Sequence, residues 1–241
     1  MAYPSRPEPL AMLTLHIGNK NYSSWSMRSW VLMTQVGIPF QEVVLRFDSF
    51  DPGSQFKRSA EALSPSGTVP VLVDGERVVW DTLAIAEYLA EGFPEHALWP
   101  LERGERALAR SATAAMHSGF GALRSHFPMN IEARLPDIGA RVLRSQPEVV
   151  ADLQRLQALW ERLLARHDGP LLFERFSIAD AFFAPVVMRL QTYAVPVSPR
   201  VARYMQQVQA LEGVQAWVAA ALAEHDFRPF EEPYRQAPDA P

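Results

Sequence analysis

Residues 68–82 read TVPVLVDGERVVWDT, which is two short apolar runs on either side of Asp74-Gly75. An Asp-Gly pair in this position is the favoured two-residue loop of a tight β-hairpin. Pro70 has no backbone N–H to donate to a strand ladder, so it marks a strand start, an edge or a cis turn. The stretch therefore predicts two antiparallel strands, the second of which leads directly into Asp81-Thr82.

The sequence on either side of the hairpin predicts further elements. Upstream, residues 12–17 form a buried strand, residues 25–34 a mostly apolar helix and residues 40–45 a second strand. A connection of this length normally makes the two strands parallel, with a right-handed crossover. Polar residues 48–66 predict a surface loop with one short helix, and residues 83–89 an amphipathic helix. The predicted order is β-α-β, loop, β-β-α.

From residue 101 onward the apolar period is helical, and no strand is predicted before the C-terminus. Residues 93–100 are the expected linker, and proline-rich residues 1–10 are an expected flexible tail. The sequence thus predicts an α/β domain over residues 11–92 and an all-helical domain over residues 101–241. The predicted helices cover residues 102–127, 148–166, 178–193, 199–212 and 214–224, with a break around Pro128 and Pro136.

The composition is that of a folded globular protein, and it disfavours several classes of function. Of 241 residues, 48% are hydrophobic and 21% are charged, and 23 Lys and Arg against 27 Asp and Glu give a net charge of −4. This charge provides no electrostatic footprint for nucleic acid, and no run of about 20 apolar residues predicts a membrane span. The N-terminus lacks the apolar region of a secretory signal, so we expect a cytoplasmic protein without nucleic-acid or membrane partners.

Several kinds of catalytic and metal site are missing from the sequence. It has no cysteine, which excludes disulfides, thiolate metal sites and a protein thiol as nucleophile. It contains no phosphate-binding P-loop, no complete dinucleotide-binding glycine fingerprint and no Gly-x-Ser-x-Gly nucleophile elbow. The six histidines form no His-x-x-x-His pair, so we expect no bound metal.

Two hydroxyl-rich segments lie where helices are predicted to begin. Residues 21–28, Asn-Tyr-Ser-Ser-Trp-Ser-Met-Arg, join the first strand to the first helix, and Asp81-Thr82 precede the helix after the hairpin. Side chains of these types cap helices. The unpaired N–H groups and partly positive field of a helix N-terminus also stabilise a bound anion, such as a thiolate or a carboxylate. Capping and anion binding are both open from position alone.

Together these features resemble the glutathione transferase family over the whole chain. The resemblance implies an α/β plus all-α fold, in which a thioredoxin-like N-terminal domain precedes an all-helical C-terminal domain. It implies a cis bond between Val69 and Pro70, with the Val69 backbone pairing with the cysteinyl unit of glutathione. Asp81-Thr82 is similar to the family motif in which Glu or Asp is usually followed by Ser. Thr82 takes the place of that Ser and keeps the hydroxyl, and the pair is expected to bind the γ-glutamyl carboxylate.

Within the family, the Ser-Ser-x-Ser stretch is similar to that of the zeta class, which includes maleylacetoacetate isomerases. Alignment to this class implies that Ser23 is the catalytic residue, whereas the theta-class spacing selects Ser24. Ser23 is slightly favoured. The zeta motif has Cys where this chain has Trp25. The arginine that zeta isomerases carry after their Ala-Asp…Pro stretch falls at Thr192 here, and Arg189 lies one helical turn earlier.

The resemblance implies that a serine hydroxyl donates to the sulfur of glutathione, which is the co-substrate, and that the thiolate attacks a hydrophobic electrophile between the domains. The alternatives are a glutathione-dependent isomerase of the maleylacetoacetate type and a binding module without turnover. A homodimer is also implied. A run at helical spacing is the candidate wall of the electrophile site, although the same spacing is typical of core. Its members are Met116, Phe120, Arg124, Phe127, Met129 and Asn130.

A last motif, Ser177-Ile178-Ala179-Asp180, resembles the N-capping box of the family and precedes an apolar helix. In such a box the serine hydroxyl accepts from the N–H of the fourth residue, whose side chain reaches back to the first N–H. We therefore predict a structural role for Ser177 and Asp180.

Overall fold

The N-terminal half contains a four-stranded mixed sheet. In the computed structural model, which describes residues 12–167 and 169–238, the strands run in the order β2-β1-β3-β4. β1 pairs in parallel with β2 and antiparallel with β3, and β3 and β4 form the predicted hairpin. The predicted β-α-β unit is confirmed, and the predicted tail at residues 1–10 lies outside the described residues. The strands are β1 (Leu13–Ile17), β2 (Phe40–Val44), β3 (Val71–Asp74) and β4 (Arg77–Trp80).

Three helices accompany this sheet, and their ends follow local chemistry. The first ends at Gly37, whose φ of 75° lies in the left-handed region that glycine adopts without a Cβ penalty. The second is the short helix expected in the polar segment, and its N-cap Ser54 accepts a hydrogen bond from the Lys57 N–H. The three helices are α1 (Ser24–Val36), α2 (Gln55–Leu63) and α3 (Thr82–Gly92).

The C-terminal half is helical, and the predicted helix over residues 102–127 is wrong in one respect. It is divided at Gly119-Phe120, because Phe120 has a left-handed φ of 55°. A Cβ at Gly119 would lie 2.5 Å from the Ala115 carbonyl oxygen, so this break requires glycine. The helices are α4 (Arg103–Ser118), α5 (Gly121–His126), α6 (Pro136–Ser145), α7 (Pro147–Arg166), α8 (Ile178–Thr192), α9 (Pro199–Ala210) and α10 (Glu212–Ala223).

Helix α8 is the centre of the molecule. All of its residues except Gln191 are buried, and it packs against α1 of the N-terminal half as well as α4 and α9. One hydrophobic core consequently includes residues of both halves. The fold is therefore the predicted combination of a small α/β domain and an all-helical domain. No helix within the described ranges is long and apolar enough to cross a membrane.

The capping box that begins α8 is confirmed. The Asp180 carboxylate accepts a hydrogen bond from the Ser177 N–H at 3.0 Å. It also accepts from the Leu172 N–H at 3.2 Å and the Tyr204 hydroxyl at 3.3 Å. Burial raises the pKa of Asp180 to about 6, because a charged carboxylate loses its hydration in the core. Asp180 thus ties three segments of the helical domain together.

Candidate active site at the start of helix α1

Two adjoining cavities lie around Trp25, at the N-terminal end of α1. The first, of about 320 Å³, is lined by Ser23 and Ser24 together with side chains of the helical half. The second, of about 330 Å³, is lined by Val69 and Pro70 and by the start of α3. Trp25, Thr68 and Val69 line both. The structure therefore brings together the segments that were singled out in the sequence: Ser23, Ser24, Val69, Pro70, Asp81 and Thr82.

The two serines of the first cavity have different hydrogen-bond partners. Ser23 is the N-cap of α1, and its hydroxyl donates to Ser26 Oγ at 2.7 Å instead of capping the helix. Ser24 Oγ accepts a hydrogen bond from Arg189 Nη2 at 2.9 Å. A guanidinium can only donate, so the proton of the Ser24 hydroxyl remains free for another acceptor. Both serines are largely buried, at 6% and 8% exposure.

Arg189 holds Ser24 from the central helix α8. Its guanidinium also donates to the carbonyl oxygens of Phe127 and Arg124. Burial lowers the pKa of Arg189 to about 10, although the carboxyl group of Glu231 opposes this shift. The sequence places Arg189 one helical turn before Thr192 but does not predict its contact with Ser24. The available signal was a cation within an almost wholly apolar helix.

Tyr22, the residue before the serines, is unavailable as a donor to a ligand. Its hydroxyl donates to Glu232 Oε1 at 2.8 Å and accepts from the Arg228 N–H at 3.1 Å. Burial raises the pKa of Tyr22 well above its ordinary value. Tyr22 therefore lines the first cavity with its ring while its hydroxyl is bonded to the C-terminal segment.

The second cavity has the backbone features expected of it. The Val69–Pro70 peptide bond is cis, as predicted, and it directly precedes β3. Asp81 is the N-cap of α3, and its carboxylate accepts a hydrogen bond from the Leu83 N–H at 2.8 Å. Thr82 is the first residue of that helix, where backbone N–H groups lack helical partners. A helix start beside a cis-proline turn can accept an anionic group.

His117 of α4 contacts this helix start from the other half of the molecule. Its Nε2 lies 3.3 Å from Asp81 Oδ2, and its Nδ1 lies 3.5 Å from Thr82 Oγ1. Burial lowers the pKa of His117, while the carboxylate of Asp81 opposes the shift. The place of His117 could not be predicted from the sequence, because no spacing motif relates a residue on α4 to the start of α3.

Arg28 is a buried cation that packs against Trp25 of the first cavity. It is 2% exposed, and its guanidinium carbon lies 4.1 Å from the centre of the Trp25 ring and 5.0 Å from that of Phe182. Among the residues described, its Nε and Nη1 have no hydrogen-bond partner. Burial, and then the positive charges of Arg189 and Arg124, lower the pKa of Arg28 to about 9, while the negative charge of Asp81 opposes the shift. The site therefore favours a bound anion.

The candidate electrophile wall is only partly in the cavity. Arg124 and Met129 line it, whereas Met116 and Phe120 are buried in the hydrophobic core and are not among its lining residues. Met116 and Phe120 therefore belong to the core, which was the other interpretation of their helical spacing. Phe127 is also core, and Asn130 donates to Glu232.

Other lining residues were missed because their segments are distant in sequence. They come from the loop before α2, from α2 itself and from the C-terminal segment after α10. No periodicity or motif indicates that these segments meet at one cavity. They are Phe47, Phe50, Phe56, Lys57 and Glu231. Within residues 12–167 and 169–238, no group of three His, Asp or Glu side chains is placed to hold a metal ion.

Two family models match the chain in succession. The glutathione S-transferase N-terminal domain matches residues 22–91, and the glutathione S-transferase C-terminal domain matches residues 106–220. The chain is 29% identical over 168 residues to a zeta-class glutathione S-transferase of Euphorbia esula, covering 68% of this chain and 71% of that one. It is 25% identical over 197 residues to maleylacetoacetate isomerase of Rattus norvegicus, with coverages of 80% and 87%.

Solved structures agree with this relationship. A glutathione transferase homolog from Burkholderia, solved with bound glutathione, has a TM-score of 0.65 and 26% identity, covering 88% of this chain and 98% of that one. A theta-class glutathione S-transferase from Xanthomonas axonopodis, with glutathione bound, shares the fold at a TM-score of 0.63 and 22% identity, with coverages of 86% and 97%. With both of its halves matched by successive domains of one family, the chain belongs to the glutathione transferases.

Proposed function

We propose that the protein binds glutathione across the two adjoining cavities and activates its thiol with the hydroxyl of Ser24 for attack on an electrophilic small molecule. The observation that carries this proposal is the hydrogen bond from Arg189 to Ser24. It fixes the serine oxygen at the cavity wall and leaves its proton free to donate to a sulfur. No metal takes part in the proposed reaction.

The binding mode follows from the charges and donors of the two cavities. We place the γ-glutamyl carboxylate at the start of α3, on Thr82, and the cysteinyl backbone beside Val69 at the cis peptide. Asp81 faces the γ-glutamyl amino group, and Lys57, which lines the first cavity, faces the carboxylate at the other end of the peptide. This arrangement sets the sulfur near Trp25 and Ser24.

The same environment lowers the pKa of the bound thiol. The Ser24 hydroxyl donates to the thiolate, the N-terminal end of α1 adds a partly positive field, and buried Arg28 adds a full positive charge. Each pKa unit corresponds to about 1.4 kcal/mol. Ser23 is the second candidate, but its proton is directed to Ser26 and has to turn away before it can reach a sulfur.

A crystal soaked with glutathione tests the whole proposal. We expect the sulfur within hydrogen-bond distance of Ser24 Oγ and the γ-glutamyl carboxylate at the Thr82 N–H. Conjugation of glutathione to an activated aryl halide provides the matching activity test. Binding without turnover of any electrophile would instead favour the non-catalytic binding module.

Replacing Thr82 with valine is expected to weaken glutathione binding by about 1 to 3 kcal/mol, because the γ-glutamyl carboxylate loses one donor. Calorimetric titration measures the affinity. Thr82→Ser, which keeps the hydroxyl, is the matched control and should bind as the wild type does. If Thr82→Val binds glutathione with unchanged affinity, the hydroxyl does not contact the ligand.

A second candidate function is a glutathione-dependent isomerase of the maleylacetoacetate type. Relatives with that name favour it, as does a cationic cavity that suits a carboxylate-bearing substrate. Two departures distinguish this chain from the zeta pattern, namely Trp25 in place of cysteine and Arg189 one turn before Thr192. An assay with a cis-configured unsaturated diketo acid separates the two, since isomerisation returns glutathione unchanged.

We also propose that the protein is a two-fold homodimer in which the hairpin and α3 of one subunit meet the helical domain of the other. β4 is an edge strand that exposes Val78 and Trp80, and Leu101, just before the helical half, is 74% exposed. Light scattering at micromolar concentration should give twice the 27.1 kDa of one chain. We expect Trp80→Asp to shift the mass toward that of a monomer, while a monomeric wild type would contradict the proposal.

A further inference from the structure

Two neighbouring carboxyl groups in the C-terminal segment have opposite surroundings. Glu232 is 5% exposed and accepts hydrogen bonds from Tyr22, Asn130 and Arg235 at 2.8 to 2.9 Å. Glu231 lines the first cavity with Ser23 and Ser24. In the described part of the chain, its side chain forms no hydrogen bond or ion pair. Glu232 therefore has a structural role, and Glu231 presents an unbonded carboxyl group to the site.

The segment that carries Glu231 is held in place on both sides. Before it, Asp226 accepts from Asn19 at 2.8 Å, and the Arg228 N–H donates to the Tyr22 hydroxyl. The ring of Phe230 lies 5.3 Å from that of Phe50, centre to centre. After it, the Tyr234 hydroxyl donates to the carbonyl oxygen of His126 at 2.9 Å. These contacts hold the segment on both sides of Glu231, whose side chain lines the cavity.

The geometry points to Glu231 as the group that takes the thiol proton of bound glutathione and later returns it to the product. This inference rests on the proposed function and deepens it. The S–H bond breaks, and its proton moves to a carboxylate oxygen of Glu231 while Ser24 donates to the resulting thiolate. No further co-reactant is needed, because the proton remains in the site.

The return of that proton selects a class of electrophile. When the thiolate attacks the β-carbon of an electron-poor C=C bond, a C–S bond forms and the π-electron pair moves to the α-carbon. The α-carbon then takes the proton from the Glu231 carboxyl group, which becomes a carboxylate again. A substitution at an aryl halide expels halide instead and needs no returned proton. We therefore infer that α,β-unsaturated carbonyl compounds are the preferred class.

The electrostatic surroundings suit a group that must both accept and donate. Burial raises the pKa of Glu231 to about 7, with the negative charge of Glu232 adding to the shift and the positive charge of Arg189 opposing it. The other charged side chains that line the cavity are Arg124 and Lys57. A carboxyl group with a pKa near the working pH is present in both forms, which is the requirement for proton transfer in both directions.

The test compares two reactions of one variant, Glu231→Gln. For addition to an α,β-unsaturated ketone, we expect kcat/KM to fall at least tenfold, since general acid–base groups commonly contribute more than this. We expect the alkaline decline of the addition rate above about pH 7 to disappear, because glutamine does not titrate. For substitution at an aryl halide, which needs the thiol proton removed but none returned, we expect a clearly smaller loss of kcat/KM than for addition.

Controls separate this role from packing and from the proposed function. Glu231→Asp should recover part of the addition rate, and Glu95→Gln, at an exposed position, should match the wild type in both reactions. Unchanged melting temperature and glutathione affinity show that Glu231→Gln folds. Equal losses in both reactions, no loss in either, or a wild type that accepts only the aryl halide would overturn the role of Glu231. A wild type inactive with both electrophiles would refute the proposed transferase function itself.

Discussion

Replacement of Ser24 by alanine is expected to lower kcat/KM for glutathione conjugation by about two to three orders of magnitude. The Ser24 hydroxyl has its oxygen bonded to Arg189 and its proton free, so it donates most strongly when the bound sulfur carries a negative charge. Such a donor contributes chiefly to the reactive state, and the loss should appear in turnover more than in glutathione binding.

Ultraviolet titration of the thiolate in the enzyme–glutathione complex is the decisive measurement. We expect the pKa of the bound thiol to rise in Ser24→Ala. It should change less in Ser23→Ala, because the hydroxyl of Ser23 is bonded to Ser26. A larger effect in Ser23→Ala would transfer the role to that serine. If the double variant keeps the wild-type thiol pKa and rate, then activation comes from the field of α1 or from the guanidinium of Arg189.

Replacement of Asp180 by alanine is expected to reduce the free energy of unfolding by about 3 to 4 kcal/mol, since each buried donor left without an acceptor costs about 1 kcal/mol or more. The N–H groups of Ser177 and Leu172 and the hydroxyl of Tyr204 all lose their shared partner. Urea unfolding at pH 7 measures the change. Ser177→Ala, which removes only a capping hydroxyl, should cost about 1 kcal/mol, and equal losses in the two variants would contradict this account.

Asp180 also gives stability a pH dependence whose sign can be worked out. Its pKa is about 6 in the folded chain, against 3.8 for an ordinary aspartate. Between these pH values the folded chain retains a proton that the unfolded chain has lost. The contribution of Asp180 to stability is therefore greatest below about pH 4 and falls as the pH rises toward and through 6. Asp180→Asn, which does not titrate, should lack this dependence.

Local chemistry made the N-terminal half predictable. The Asp74-Gly75 pair identified the hairpin, and glycine after the first helix identified its end, because both depend on a few adjacent residues. The helix predicted over residues 102–127 failed at Phe120, where a bulky residue adopts a left-handed φ that propensity does not predict.

The candidate site was predictable only where its residues cap a helix or precede a strand. The positions of the two serines and of Asp81-Thr82 predict a role, because hydroxyl and carboxyl groups at the start of a helix cap it or help it bind an anion. Arg189 and Glu231 reach the same cavity from segments more than 150 residues away from the serines. Their roles depend on packing, which no periodicity or spacing encodes.

The burial of α8 has a consequence for how the chain comes apart. Neither α1 nor α4 can leave this helix without exposing apolar surface to water, so we expect the two halves to lose their structure together. A protease that cuts the connecting segment would release no stable fragment. The first cavity, which residues of both halves line, is therefore expected to form and to be lost as one cooperative unit.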